Sequence, residues 1–143
     1  MKIIVFDFLS DDAKMIREKV FMEEQGFENE FDDIDKIASH LVMYNEKEEP
    51  IATCRVFESS EKNKYIFGRL AVVASCRGMN IGTEMIKEAE KLVLKKGGVS
   101  LSLHAQCRVK SFYKKSGYTE FGEIENDEGC PHIWMNKQIH PKL

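Results

Sequence analysis

The residues whose types and spacing could do chemistry lie in Arg77-Gly78-Met79-Asn80-Ile81-Gly82-Thr83, where a β-prone run gives way to a helical one. The first N–H groups of a helix have no intrahelical partner, and the aligned peptide dipoles leave partial positive charge at that end. Gly78 and Gly82 remove side chains that would keep an anion from the backbone, and Arg77 adds forked donors. Arg77 to Thr83 is therefore a candidate anion site, with Met79, Asn80, Ile81 and Thr83 contributing backbone N–H groups. Two nucleotide motifs with similar physics do not match. A P-loop requires Gly-Lys-Ser/Thr, and Gly82 is followed directly by Thr83; the G-x-G-x-x-G dinucleotide fingerprint is absent.

The elements that must hold this loop follow from residue patterning. Tyr65 to Val73 is rich in β-branched and aromatic residues, which suit a pleated, half-buried strand. From Ile81 onward, Ile81, Met85, Ile86, Ala89, Leu92 and Val93 share one helical face, with Glu84, Lys87, Glu88 and Lys91 on the other. Lys95-Lys96-Gly97-Gly98 supplies cations and a left-handed cap at the helix end. Upstream, Lys2 to Phe8 reads as a strand, and Ser10-Asp11-Asp12 caps a helix that turns Ile16, Val20 and Phe21 inward. His40 to Asn45 and Ile51 to Glu58 read as a hairpin, followed by Lys64 to Val73 as a third antiparallel strand. Val99 to Ala105 is a strand, and residues 106–118 hold a short helix closed by Gly117. Tyr118 to Ile124 and His132 to Gln138 are the last two strands. The order specifies an α+β fold with one mixed sheet around a central β–α–β unit.

Composition narrows the function. A length of 143 residues fits a single domain over 1–143, with one core. Twenty-one basic against 24 acidic residues gives a net charge of −3, which disfavours a nucleic-acid partner. No apolar run reaches the roughly 20 residues of a membrane span, and Met1-Lys2 leads into a strand rather than a signal peptide. Cys54, Cys76, Cys107 and Cys130 lie too far apart for C-x-x-C metal pairs, so no metal is expected and they read as reduced thiols of a cytoplasmic protein. Between Glu23 and Asp35 stand seven acids and no base. This stretch is a solvated connection, a negative lining that attracts a cationic acceptor, or both, since only one or two of the seven need face a pocket.

Arg77-Gly78-Met79-Asn80-Ile81-Gly82 resembles the pyrophosphate loop of the GNAT superfamily of N-acetyltransferases, Arg/Gln-x-x-Gly-x-Gly/Ala between a strand and a helix. A second signature follows in register: Gln106, then Phe112-Tyr113-Lys114-Lys115-Ser116-Gly117-Tyr118, is similar to that family's polar amide and its Phe-Tyr-x-x-x-Gly-Phe/Tyr helix. Asn80 stands where the family has Gly. If φ is positive there, Asn tolerates it best among non-glycine residues, at about 1 kcal/mol. Val20-Phe21-Met22-Glu23-Glu24-Gln25, His40-Leu41-Val42, Ala105-Gln106 and Gly129-Cys130-Pro131-His132 resemble a small bacterial branch described as YjcF-like or ElaA-like.

The resemblance implies a GNAT fold, a mostly antiparallel sheet flanked by helices with an acetyl-CoA-binding β–α–β unit. It also implies transfer of an acetyl group from acetyl-CoA to a primary amine of a small molecule or peptide, by direct attack in one ternary complex. A strand bulge maps to Leu70, whose backbone N–H would polarise the thioester, while Ala71 and Val72 would hold the pantetheine arm and Gln106 would contact the cofactor. Tyr113 occupies the family's general-acid position, and an ordinary Tyr is protonated at neutral pH. The acceptor amine must also lose a proton. Glu23, Glu24, His40, His104 and His132 are candidates for the base, with Glu24 favoured by its shared Glu-Gln segment. A homodimer is compatible with the reading. A non-catalytic acyl-CoA-binding regulator is the alternative, and the presence of Tyr113 speaks for an enzyme.

Overall fold

The computed structural model describes residues 1–139; the last four residues of the expected domain lie outside the described residues. Seven strands form one mixed sheet in the order β1-β2-β3-β4-β5-β7-β6. They are β1 (Lys2–Phe6), β2 (Ser39–Tyr44), β3 (Pro50–Glu58), β4 (Lys64–Val72), β5 (Ser100–Gln106), β6 (Thr119–Asp127) and β7 (Cys130–Gln138). The flanking helices are α1 (Asp11–Arg17), α2 (Ile81–Lys95) and α3 (Lys110–Lys115). The mixed sheet with flanking helices is the one the sequence specifies, with boundaries shifted by one to three residues. No helix among the described residues is long and apolar enough to cross a membrane.

The chain divides into two compact units. The first comprises Met1–Phe57 and Arg69–Ala89. Here β1 and β3 both pair antiparallel with β2. Ser10 caps α1 as its sequence predicts, its hydroxyl accepting the Ala13 N–H at 3.2 Å. α1 buries Ala13 and Ile16, and continues into a π-helical turn, Glu18–Glu24, that buries Val20 and Phe21. These residues pack with Val42, Tyr44 and Ala71, flanked by Phe6, Leu9, Phe27 and Val73. The Tyr44 hydroxyl donates to Asp12 at 2.7 Å; burial, with Asp12 beside it, pushes its pKa up to about 12. The π turn is not visible in the residue pattern, because Ile16, Val20 and Phe21 are spaced as they would be on an α-helical face.

The second unit comprises Glu58–Gly68 and Glu90–Leu143. β4 and β5 pair in parallel from Lys64 opposite Ser100 to Phe67 opposite Leu103, completing the expected β–α–β unit through α2. The turn after α2 is a left-handed glycine cap: Gly97 has φ +84° and the Gly98 N–H reaches back to the Val93 carbonyl at 2.8 Å. Gly98 itself has no room for a side chain, since a Cβ there would lie 2.3 Å from Val93 and 2.8 Å from Tyr65. β5 pairs antiparallel with β7, and β7 with β6. Lys137 fixes the exit of α3, donating to Glu90 at 3.0 and 3.1 Å and to the Ser116 carbonyl at 2.9 Å, while the Tyr118 hydroxyl donates to Glu90 at 3.0 Å.

Candidate functional site

In the first unit the chain leaves β4 through a 3₁₀ turn, Ala74–Cys76, closed by Cys76 N–H to the Val73 carbonyl at 2.9 Å and Arg77 N–H to Ala74 at 3.3 Å. Arg77 is extended, Gly78 takes φ +82° and Asn80 φ +59°. The positive φ suspected at Asn80 is therefore present. The Asn80 carbonyl accepts the Glu84 N–H at 3.1 Å, opening α2 and leaving the N–H groups of Ile81, Gly82 and Thr83 without intrahelical partners. Residues 77–80 are exposed. A helix of 15 residues supplies the dipole, and a glycine without a neighbour within 4 Å of its Cβ direction leaves the approach open at Gly78. These features fit an anion such as pyrophosphate.

The Arg77 side chain is engaged elsewhere. Its Nε donates to the Val72 carbonyl at 3.0 Å and its Nη2 lies 3.1 and 2.9 Å from the two oxygens of Glu24. Both side chains are well exposed, at 45% and 39%, so the pair is worth at most about 1 kcal/mol and an incoming anion can displace it. Glu24, expected as the base, thus stands beside the loop with a guanidinium on its carboxylate. On β4, Leu70 and Val72 are half-buried and Ala71 is buried in the core. Arg69, immediately before Leu70, has φ +54°, a left-handed residue inside a strand.

A charge network that sequence reasoning missed underlies this part of β4. Arg17, 1% exposed, donates from Nε to Glu30 at 2.7 Å and from both Nη atoms to Asp35 at 2.8 and 3.1 Å. Arg55 donates to both oxygens of Asp32 at 2.6 and 3.0 Å and to Asp35 at 2.8 Å. Arg69 reaches the Glu30 carbonyl at 3.2 and 3.1 Å and the Glu30 carboxylate at 3.1 Å. Burial works to raise the Asp35 pKa, but the Arg17 and Arg55 hydrogen bonds outweigh it and hold the carboxyl down at about 2. Asp32 is lowered in the same way, against burial, by Arg55. At Glu30 burial prevails over Arg69 and Arg17, and its pKa is raised. Three of the seven acids between Glu23 and Asp35 are thereby matched by three arginines, so the stretch is neither a wholly solvated connection nor an acceptor lining at those positions. His40 joins the same cluster: it is buried, its Nε2 lies 2.9 Å from the Asp35 carbonyl, and burial lowers its pKa. That places His40 among the structural residues rather than the bases.

In the second unit, β5 runs through a 3₁₀ turn, Cys107–Val109, into α3. Tyr113 is buried, 9% exposed, with its ring edge-on to Phe112 at 5.1 Å and to Tyr118 at 6.3 Å. The Ser116 and Tyr118 N–H groups both return to the Tyr113 carbonyl, and Gly117 takes φ +97°. This tight closure fixes the main chain at Tyr113. Gln106 accepts from Arg108 Nε at 2.7 Å. His132 and His104 stand on adjoining strands with rings 4.9 Å apart, and His104 stacks on Trp134 at 4.8 Å. Their proximity was not legible from sequence, because it depends on the β5–β7 register.

An acetyltransferase (GNAT) domain model matches residues 9–139. The chain belongs to the GNAT acetyltransferase family. Among relatives of this GNAT chain, YyaT of Bacillus subtilis is 29% identical over 133 residues, covering 90% of this chain and 88% of YyaT. ElaA of Escherichia coli is 25% identical over 129 residues, covering 87% and 84%, and its crystal structure superposes with a TM-score of 0.84 over 96% of this chain and 99% of that one, at 22% identity. An aminoglycoside 6′-N-acetyltransferase complexed with coenzyme A shares the fold at a TM-score of 0.77 and 18% identity, over 100% and 99% of the two chains. A GNAT protein uses an acyl-CoA donor and an amine acceptor, and the helix-start loop of the first unit has the charge and openness such a donor's phosphates need.

Proposed function

We propose that this chain is a single N-acetyltransferase domain that transfers the acetyl group of acetyl-CoA to a primary amine of a small molecule or peptide, within one ternary complex. The observation that carries the reading is the exposed 77–80 loop, left-handed at Gly78 and Asn80, at the start of α2 in a GNAT chain. Backbone N–H groups from Arg77 to Thr83 hold the pyrophosphate, with the Arg77 side chain released from Glu24 to join them. Leu70 N–H polarises the thioester carbonyl as it gains charge. The left-handed Arg69 supports this role, because such a residue turns the next N–H out of a regular ladder. Ala71 and Val72 hold the pantetheine arm, Gln106 contacts the cofactor, and Tyr113 protonates the departing thiolate. The four free thiols, with Cys54 buried and its pKa raised by burial, suit a reducing cytoplasm.

Acetyl-CoA at 100 times its Kd is expected to stabilise the fold by about 2.7 kcal/mol, a shift of several degrees in a thermal scan. No shift at millimolar acetyl-CoA would overturn the proposal. A shift without thiol release in the presence of any primary amine would leave only the non-catalytic acyl-CoA-binding reading.

The strain at Asn80 provides a second test. Asn80→Gly is expected to keep or tighten acetyl-CoA binding, because glycine adopts φ +59° without cost. Asn80→Val is expected to weaken it by about 5- to 30-fold, the equivalent of ~1–2 kcal/mol of left-handed strain. Equal Kd values for all three proteins, measured by titration calorimetry, would show that the loop conformation does not set affinity.

A further inference from the structure

One face of β5, β7 and β6 gathers side chains that, Gln106 apart, the donor site does not use. In the β5–β7 ladder His104 opposes Trp134 and Gln106 opposes His132; across the β6–β7 ladder Phe121 opposes Trp134 and Glu125 opposes His132. Opposed residues share a face, as do residues two apart on one strand. Phe121 and Glu125 are four apart while their partners are two apart. The bulge between them, where Gly122 takes φ +75°, absorbs the difference and keeps both on that face. The result is two adjoining rows, aromatic His104–Trp134–Phe121 and polar Gln106–His132–Glu125. The Phe121 ring lies 6.3 Å from Trp134 and is half exposed, so the aromatic row is open to a ligand.

Within the polar row the tautomer of one neutral ring is decided by its neighbour. His132 Nδ1 lies 2.8 Å from the Cys130 carbonyl oxygen, and a carbonyl only accepts. Nδ1 therefore carries the hydrogen in the neutral ring, and Nε2 presents a lone pair. The groups around it are His104 from β5 and Glu125 and Asp127 from β6. Burial chiefly, and His132 further, lower the His104 pKa, against Glu125 and Asp127. Its Nε2 is buried without a hydrogen bond, 3.4 Å from Glu125 Oε1. Gln106, opposite His132, is the last residue of β5, and the chain reaches Tyr113 seven residues later.

We infer that this face is the acceptor side of the acyl transfer, with His132 Nε2 as general base and a primary amine borne on an aromatic body as substrate. The inference rests on the acetyltransferase reading above. The aromatic body lies against Trp134 and Phe121, and Glu125 and Asp127 draw the ammonium. His132 Nε2 takes one proton from the ammonium, directly or through one water, and passes it to solvent. The freed nitrogen pair attacks the thioester carbonyl carbon, forming the N–C bond. The adduct nitrogen loses its second proton to solvent, the C–S bond breaks, and the sulfur takes the electron pair and the Tyr113 proton. Tyr113 is then reprotonated from solvent. Of the two protons lost by the ammonium, one ends on the thiol and one is released.

The test follows thiol release from acetyl-CoA with 2-phenylethylamine and with ethanolamine. The aryl amine is expected to exceed ethanolamine in kcat/KM by at least about 10-fold, since only it fills the aromatic row. Asn places its side-chain nitrogen where His has Nδ1, so His132→Asn keeps the bond to Cys130 and removes only the base. It is expected to lower kcat/KM for 2-phenylethylamine by about 10²- to 10⁴-fold at pH 7. The loss should shrink as pH approaches the pKa of the amine, while the acetyl-CoA thermal shift is retained. Phe121→Ala, at a half-exposed position, should raise KM for the aryl amine with little change in kcat, and serves if His132→Asn fails to fold. Equal use of the two amines, or His132→Asn within about threefold of wild type with the same pH profile, would overturn the inference. So would Glu24→Gln showing the pH-dependent loss instead, which would return the role of base to Glu24. An acetyl-CoA thermal shift without turnover of either amine would sink this acceptor assignment alone; loss of the shift itself would sink the acetyltransferase reading beneath it.

Discussion

Tyr113→Phe is expected to lower turnover by about 10- to 10⁴-fold while leaving the fold and acetyl-CoA affinity in place. The ring packs edge-on against Phe112 and Tyr118 and the main chain is held by the Ser116 and Tyr118 N–H groups on the Tyr113 carbonyl, and phenylalanine keeps all of these contacts. What the variant lacks is the O–H, so a loss confined to kcat reports proton delivery to the leaving thiolate. The measurement is thiol release at saturating amine, alongside the melting temperature and the acetyl-CoA-induced shift. A large fall in melting temperature with unchanged turnover per folded molecule would identify the hydroxyl as a packing and hydrogen-bonding group. Unchanged turnover with unchanged stability would transfer protonation of the thiolate to water.

Asp35→Asn is expected to destabilise the protein by about 3–5 kcal/mol, because Arg17 and Arg55 would remain buried facing a neutral amide. The contrast is the exposed Lys2–Glu48 pair, whose side chains are 53% and 76% exposed; removing it should cost less than about 1 kcal/mol. Urea unfolding decides: a loss below 1 kcal/mol for Asp35→Asn would show that the network relaxes around the missing charge. The pH dependence has a definite sign. Asp35 titrates at about 2 in the fold against an ordinary 3.8, so its stabilisation is fully present above 3.8 and is lost as pH falls toward 2. Asp32 acts in the same direction. Glu30 acts oppositely: its folded pKa is raised, so its contribution is present below 4.5 and lost as pH rises through the folded value. Asp35→Asn should therefore flatten the acid limb of the stability profile.

Much of the fold was legible because its signals are local. The Ser10 cap, the apolar face of α2 and the Gly97 turn each depend on residues within one or two turns of each other, and each formed where patterning put it. The positive φ of Asn80 was legible for the same reason, since few residues other than glycine tolerate it and Asn stood in a glycine position. The acidic stretch after α1 shows the opposite. Composition records charges and not partners, and the partners of Glu30 and Asp35 stand 13, 18, 20 and 39 residues away in sequence.

Sequence by itself determined the family, the β–α–β unit and the place of the Arg77–Thr83 loop at the start of α2, because loop, strand and helix are contiguous in the chain. Only the tertiary structure decided which acids are neutralised, which histidines are structural, and which side chains share a face. Arg17 follows the inward-facing Ile16 on α1 and is almost wholly buried because α1 delivers it to Glu30 and Asp35. His132 gains a defined tautomer from the Cys130 carbonyl, and its neighbours His104 and Glu125 from strand register and a bulge. Charge pairing and cross-strand contact are long-range in sequence, and their energies depend on burial that exists only once the chain has folded.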